Sequence, residues 1–175
     1  MNKALMVQAL KALDKRLTTS ANLLLGGGGA MVLAHGFPLA TQDLDALFFK
    51  STITEADVLP DIWAVADEVG VPKDWINSYF QTFLFALPKD YDKRLQIAFK
   101  GEHLTVYALS LTDLLILKCF AGREKDIPHA RVLVRKGADT TFARKHILAL
   151  QDKSIPKADA AATFLDDLEE ELEEP

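Results

Sequence analysis

Apolar and polar positions alternate with a changing period along the chain, and the period predicts the elements. Over residues 3–17 apolar residues recur at helical spacing, with Leu5, Ala9, Ala12, Leu13 and Leu17 near one face. Residues 22–26 are a short apolar strand, and Gly27–Gly29 are expected to form the turn that follows it. Residues 30–36, "AMVLAHG", read as a helix stopped by Gly36, with Pro38 just beyond. Residues 44–49 are apolar apart from Asp45 and predict a second strand. A helix over residues 54–70 is expected to be capped by Thr54, with Glu55 and Asp57 in its first turn. "DWINSYF" reads as a short helix or turn, and residues 82–87 as a strand or a helix end. Residues 94–100 and 103–109 alternate as a β-hairpin through Gly101 and Glu102.

Beyond Ser110 the period becomes helical throughout. Thr112 is expected to cap a helix reaching about Gly122. Its core face would be Leu114, Leu115, Leu117 and Phe120, with Lys118 outside it. Asp126 is expected to cap another helix through Lys136, with Pro128 in the permitted first turn. A third helix runs from Asp139 or Thr140 to Gln151, and a last one starts near Pro156. Trp63 and Trp75 are expected in the core. The pattern predicts an α+β fold: a mixed β-sheet with flanking helices over residues 1–110, then a helical half over residues 111–175 with an acidic tail.

Composition changes this picture only in places. The 175 residues are 49% hydrophobic and 26% charged, as in a water-soluble globular chain. No apolar run reaches the length of a membrane span, and the N-terminus lacks a signal-peptide pattern. One cysteine, Cys119, excludes an internal disulfide framework and fits a small buried residue in a reducing cytoplasm. The four histidines make no zinc pattern. The net charge of −5 is concentrated: seven of the last ten residues are acidic, whereas residues 115–146 hold eight Lys or Arg against Glu124, Asp126 and Asp139. A basic region of that kind is either a solvated helix face or a surface that meets phosphate.

The candidate chemistry lies in "NLLLGGGGAMVLAHGFPLATQDLDALFF". A P-loop is excluded, because Gly29 is followed by Ala30 and Met31 rather than by Lys and Ser/Thr. A dinucleotide fingerprint fails as well, because the third glycine would fall on Met31 or Val32. What remains is strand, glycine turn, short helix, and an Asp-x-Asp entering a second strand. Glycines let the backbone approach a phosphate, and the helix behind them aims free N–H groups at the anion. Residues i and i+2 of a strand face the same side, so Asp43 and Asp45 are expected to project together while Leu44 enters the core. Two neighbouring carboxylates favour a hard divalent cation, Mg²⁺ or Mn²⁺, bridging to the phosphates of an NTP.

This arrangement resembles the polymerase-β-like nucleotidyltransferase superfamily. The chain looks most like bacterial members related to toxins of type IV toxin–antitoxin and abortive-infection systems. Gly28, Gly29 and Ala30 fit the family's Gly-Gly-x-Ala helix start. "LATQDLD" fits most of its Arg-x-Thr-x-Asp-Ile/Leu-Asp motif: Thr41, Asp43 and Asp45 match, and Leu39 stands where the arginine is usual. "DWIN" (Asp74 to Asn77) resembles an Asp-Trp-Leu-Asn element of one branch. In "SLTDLLILKCFAGREKDIPHARVL", Lys118, Arg123, Lys125 and Asp126 match that branch's helical motif, with His129 where a second aspartate is frequent.

The resemblance implies a nucleotidyltransferase-like fold and transfer of a nucleotide from NTP to an RNA or protein acceptor, with an antitoxin protein as a partner. It implies metal binding by Asp43 and Asp45, and nucleotide binding by Gly28, Gly29, Thr41, Lys118, Arg123 and Asp126. Lys118 would neutralise charge on the leaving pyrophosphate. A non-catalytic nucleotide-binding or interaction module is the other reading, because "RLQIAFK" and "HLTVYAL" hold no third acid. Asp126 is the first candidate for that missing carboxylate; its competing role is a helix cap.

Overall fold

The computed structural model describes residues 1–38 and 40–173. The chain divides into two compact units, Met1–Gln81 with Leu95–Leu109, and Thr82–Arg94 with Ser110–Pro175.

The first unit is built on a five-stranded mixed sheet of order β3-β2-β1-β5-β4. Strands β1 (Ala21–Leu25) and β2 (Leu44–Phe48) are antiparallel, with Leu25 opposite Ala46. On its other side β1 runs parallel to β5 (Leu104–Ala108), which forms an antiparallel hairpin with β4 (Gln96–Lys100) and an irregularity between Ile97 and Phe99. The hairpin matches the periodicity. "DWIN" does not behave as a helix or turn: Ile76–Asn77 is a short edge strand, β3, parallel to β2. Two residues are too few to show a period of two, so alternation could not reveal this strand.

Helices α1 (Lys3–Asp14) and α3 (Glu55–Val69) pack against each other. Met6, Ala9, Leu10 and Leu13 of α1 are buried, as are Val58, Ile62, Val65 and Ala66 of α3, each set at helical spacing. Asp57 accepts hydrogen bonds from the Thr54 N–H (2.8 Å) and hydroxyl (2.7 Å), closing the start of α3. Trp75 is fully buried and its indole N–H donates to the Ile62 carbonyl at 3.0 Å. Trp63 departs from expectation: it lies one position beyond Ile62, off the buried stripe, and is 47% exposed.

The second unit is helical: α4 (Leu111–Ala121), α5 (Ile127–Arg135), α6 (Thr140–Gln151) and α7 (Ala158–Glu173). The segment expected as a strand or helix end is part of a 3₁₀ stretch, Tyr79–Ala86. Every residue from Asp113 to Phe120 is buried, so α4 is the unit's central helix. Its N-cap is Ser110, not Thr112: the Ser110 hydroxyl accepts from the Asp113 N–H at 3.1 Å. Asp113 is fully buried and takes a fork from Arg94, Nη2 at 2.8 Å and Nε at 3.2 Å. Cys119 is buried, and burial pushes its thiol up to about 12. The acidic tail is no loose end through residue 173. Ala158, Ala161, Leu165 and Leu168 are buried, and Asp166 and Glu169 pair with Arg144. Among the described residues no helix is long and apolar enough to cross a membrane.

Candidate functional site

The glycines are not a separate turn. Gly26 is the N-cap of α2 (Gly27–Leu33), and its N–H donates to the Asp45 carbonyl at 2.8 Å. Gly27 opens the helix at φ +55°, a conformation that side chains other than glycine's disfavour. A Cβ there would stand 2.2 Å from Asp45 Oδ2. The Asp45 carboxylate therefore rests directly on the backbone of Gly27. Gly28 faces Thr41, whose Cβ and Oγ1 lie 3.4 Å from where its Cβ would be. Gly29 is buried for packing: a Cβ would meet Leu44 Cδ2 at 2.7 Å. The family resemblance singled out Gly28 and Gly29, but the position that only glycine can fill beside the acid is Gly27.

Asp43 lies just before β2 and Asp45 within it. Asp45 is opposite Asn77 in the β2–β3 ladder, so these two side chains emerge on one face of the sheet. Asn77 Nδ2 in turn donates to Asp43 Oδ2 at 2.8 Å. Asp43 also borders a shallow depression with Met1, Gln42 and Asp74. The Thr41 segment is held by the first residue: the Thr41 N–H donates to the Met1 carbonyl at 3.1 Å, and the Met1 amine donates back to the Thr41 carbonyl. Leu39, the position where the motif usually has arginine, lies outside the described residues.

The other expected site residues belong to the second unit. Asp126 is 1% exposed, and both its oxygens are taken. Lys118 Nζ donates to Oδ1 at 2.5 Å, Arg123 Nε to Oδ2 at 2.6 Å and Arg123 Nη2 to Oδ1 at 3.2 Å. Burial opposes ionisation of this carboxyl, but the hydrogen bonds from Arg123 and Lys118 outweigh it and hold it below the usual range. Asp126 therefore stands at the expected N-cap position of α5 but does not cap it with its side chain. Its backbone is already helical, and its side chain makes no cap bond. Lys118 is not on an outer face either; it is 8% exposed, drawn inward by this ion pair. His129 lies nearby with a buried Nδ1 that has no hydrogen-bond partner. Burial and the charge of Lys118 hold its pKa below the ordinary value.

Among the described residues no group of three or more His, Cys, Asp or Glu is placed to hold a metal ion. The candidate donor set is two carboxylates, Asp45 against Gly27 and Asp43 bonded to Asn77. That set suits Mg²⁺, which takes one or two protein carboxylates and completes its shell with phosphate and water.

A mixed sheet with flanking helices, and an Asp-x-Asp at the strand that meets a glycine-started helix, define a nucleotidyltransferase-like fold. The chain belongs to the family described as Nucleotidyltransferase of unknown function (DUF6036), whose model matches residues 4–135. No curated protein and no solved structure matches the chain.

Proposed function

We propose that the protein transfers a nucleotide from NTP to an acceptor hydroxyl on RNA or protein, releasing pyrophosphate. The observation that carries this is the seat of the Asp45 carboxylate on Gly27, with Asp43 tied to the same sheet face through Asn77. Asp43 and Asp45 would hold Mg²⁺ or Mn²⁺. When bound, the ion supplies charge neutralisation at the phosphates and lowers the pKa of the attacking hydroxyl. The backbone of Gly28 and Gly29 offers N–H donors at a helix start for phosphate oxygens, and the Thr41 hydroxyl stands beside Gly28. Phosphoryl chemistry of this kind asks the protein for position and electrostatics more than for covalent steps. The roles carried to Lys118, Arg123 and Asp126 rest on the family resemblance; in the structure the two cations meet on one buried carboxylate, Lys118 buried beside it and Arg123 partly exposed. A toxin role with an antitoxin partner is the setting that the same resemblance implies.

The second reading is a nucleotide-binding module without transfer. It is favoured by β4 and β5, "QIAFK" and "LTVYA", which bring no third acid to the sheet. The deciding experiment is incubation with each labelled NTP, Mg²⁺ or Mn²⁺, and RNA or lysate. A labelled acceptor that disappears with Asp43→Asn/Asp45→Asn supports transfer. Metal-dependent NTP binding without any labelled product supports the module, and no binding at millimolar nucleotide defeats both.

A further inference from the structure

Asn77 occupies an informative place. It is the second and last residue of β3 and stands opposite Asp45 in the ladder. Its side chain makes two hydrogen bonds, and together they fix its orientation. The backbone N–H of Tyr79 meets one end of the amide at 3.1 Å. A backbone N–H can only donate, so that end is the carbonyl Oδ1. The other end is then the NH₂ group, which can only donate. It meets Asp43 Oδ2 at 2.8 Å. An ionised carboxylate accepts only, so donor and acceptor are matched without ambiguity. The bond engages Oδ2 and leaves the lone pairs of Oδ1 for another partner.

We propose that Asn77 is the positioning residue of the metal site: it holds the Asp43 carboxylate on the face where Asp45 emerges, so that the two acids present oxygens to one divalent cation. This rests on the nucleotidyl-transfer reading for the cation itself, and adds to it a residue outside the Asp-x-Asp motif. Asp43 needs such a brace because it precedes the strand. No ladder partner fixes its backbone, whereas Asp45 is held by Asn77 on one side and by the Gly26 N–H on the other. The Asn77 amide also brings a donor and no charge. A carboxylate at the same place would add a third negative charge beside the two acids, and an apolar residue would leave Asp43 to turn toward water.

The test uses the full chain and Mn²⁺ as probe, read by electron paramagnetic resonance with and without ATP. Asn77→Leu keeps the branched outline, adds some bulk and removes the amide. It should weaken Mn²⁺ binding by about 10–100-fold, the range seen when a group orienting a ligand is lost. Its melting temperature should stay within a few degrees of the wild type. A purely structural asparagine would move the melting temperature and leave Mn²⁺ affinity unchanged, and that outcome overturns the proposal. If Asn77→Leu does not fold, the wild-type Asn77 side-chain amide resonance decides. It should shift with added Mg²⁺ and shift again in Asp43→Ala; an unmoved resonance overturns the proposal. Absence of Mn²⁺ binding by the wild type defeats the transfer reading together with this one. Tight wild-type binding that Asn77→Leu retains defeats only the role of Asn77.

Discussion

Gly27 and Asp45 show how one residue constrains the next. A side chain at Gly27 must both adopt a positive φ and occupy the space of a carboxylate oxygen 2.2 Å away. Gly27→Ala should therefore destabilise the protein by about 1–3 kcal/mol, from the conformational cost and the displaced acid together. Urea unfolding measures the loss, and an unchanged midpoint would mean that Asp45 moves freely. Asp126 poses the opposite problem, a buried charge that depends on its partners. Asp126→Asn leaves Lys118 and Arg123 facing a neutral amide and should cost about 3 kcal/mol, at the lower end for breaking a buried pair. The pH dependence has a definite sign. The folded carboxyl titrates below 3.8, the ordinary value, so its contribution is fully present above that value and is lost as pH falls through the lower folded value. The stability difference between wild type and Asp126→Asn should therefore shrink on acidification below about pH 4. A difference that stays constant from pH 7 to pH 3 would show that folding leaves the Asp126 carboxyl unshifted.

At the scale of elements, the chain uses single acids to tie pieces together. The Asp14 carboxylate at the end of α1 accepts the N–H groups of Glu102 (3.1 Å), His103 (2.8 Å) and Leu104 (2.7 Å), the turn and first strand residue of the β4–β5 hairpin. Desolvation opposes ionisation there, but these three backbone donors, with His103, win and hold the Asp14 carboxyl below its ordinary value. The clamp is present at neutral pH and released as pH falls below the usual carboxylate range. Asp14→Ala should speed hydrogen exchange at the amides of Glu102, His103 and Leu104 far more than at Leu23 or Leu24; uniform protection across the sheet would refute the clamp. Periodicity read the hairpin itself without this contact. Its strands alternate over five residues, whereas the tie to Asp14 joins positions nearly ninety residues apart and leaves no local pattern.

For the whole molecule, the two units carry different kinds of information. The first holds the strand, glycine-started helix and Asp-x-Asp that the family model also covers. The second buries three charged residues, Asp113, Lys118 and Asp126, within a helical core. If the acids of the first unit serve metal–nucleotide binding, Asp43→Asn/Asp45→Asn should abolish Mg²⁺-dependent NTP binding by calorimetry. The melting temperature should hold or rise slightly, because two neighbouring like charges are relieved. Unchanged NTP affinity in that variant would remove the first unit from nucleotide recognition.

The sequence by itself determined the elements whose residues repeat often enough to show a period, α1, α3, the β4–β5 hairpin and the four C-terminal helices, and the short apolar runs of β1 and β2. It also determined the candidate acids, because the Asp-x-Asp and the glycines lie close together in the chain. Tertiary structure decided the rest. A two-residue strand gains its identity only from the ladder it joins, so β3, and with it Asn77, had no periodic signature. Which of the four glycines must be glycine depended on β2, whose Asp45 meets Gly27 and whose Leu44 meets Gly29, brought back by an antiparallel pairing. The inward turn of Lys118 and the charge-paired role of Asp126 depended on a buried contact between two helices. Local physics writes a pattern into neighbouring residues; a contact made across the fold, by one hydrogen bond or one ion pair, leaves no period to read.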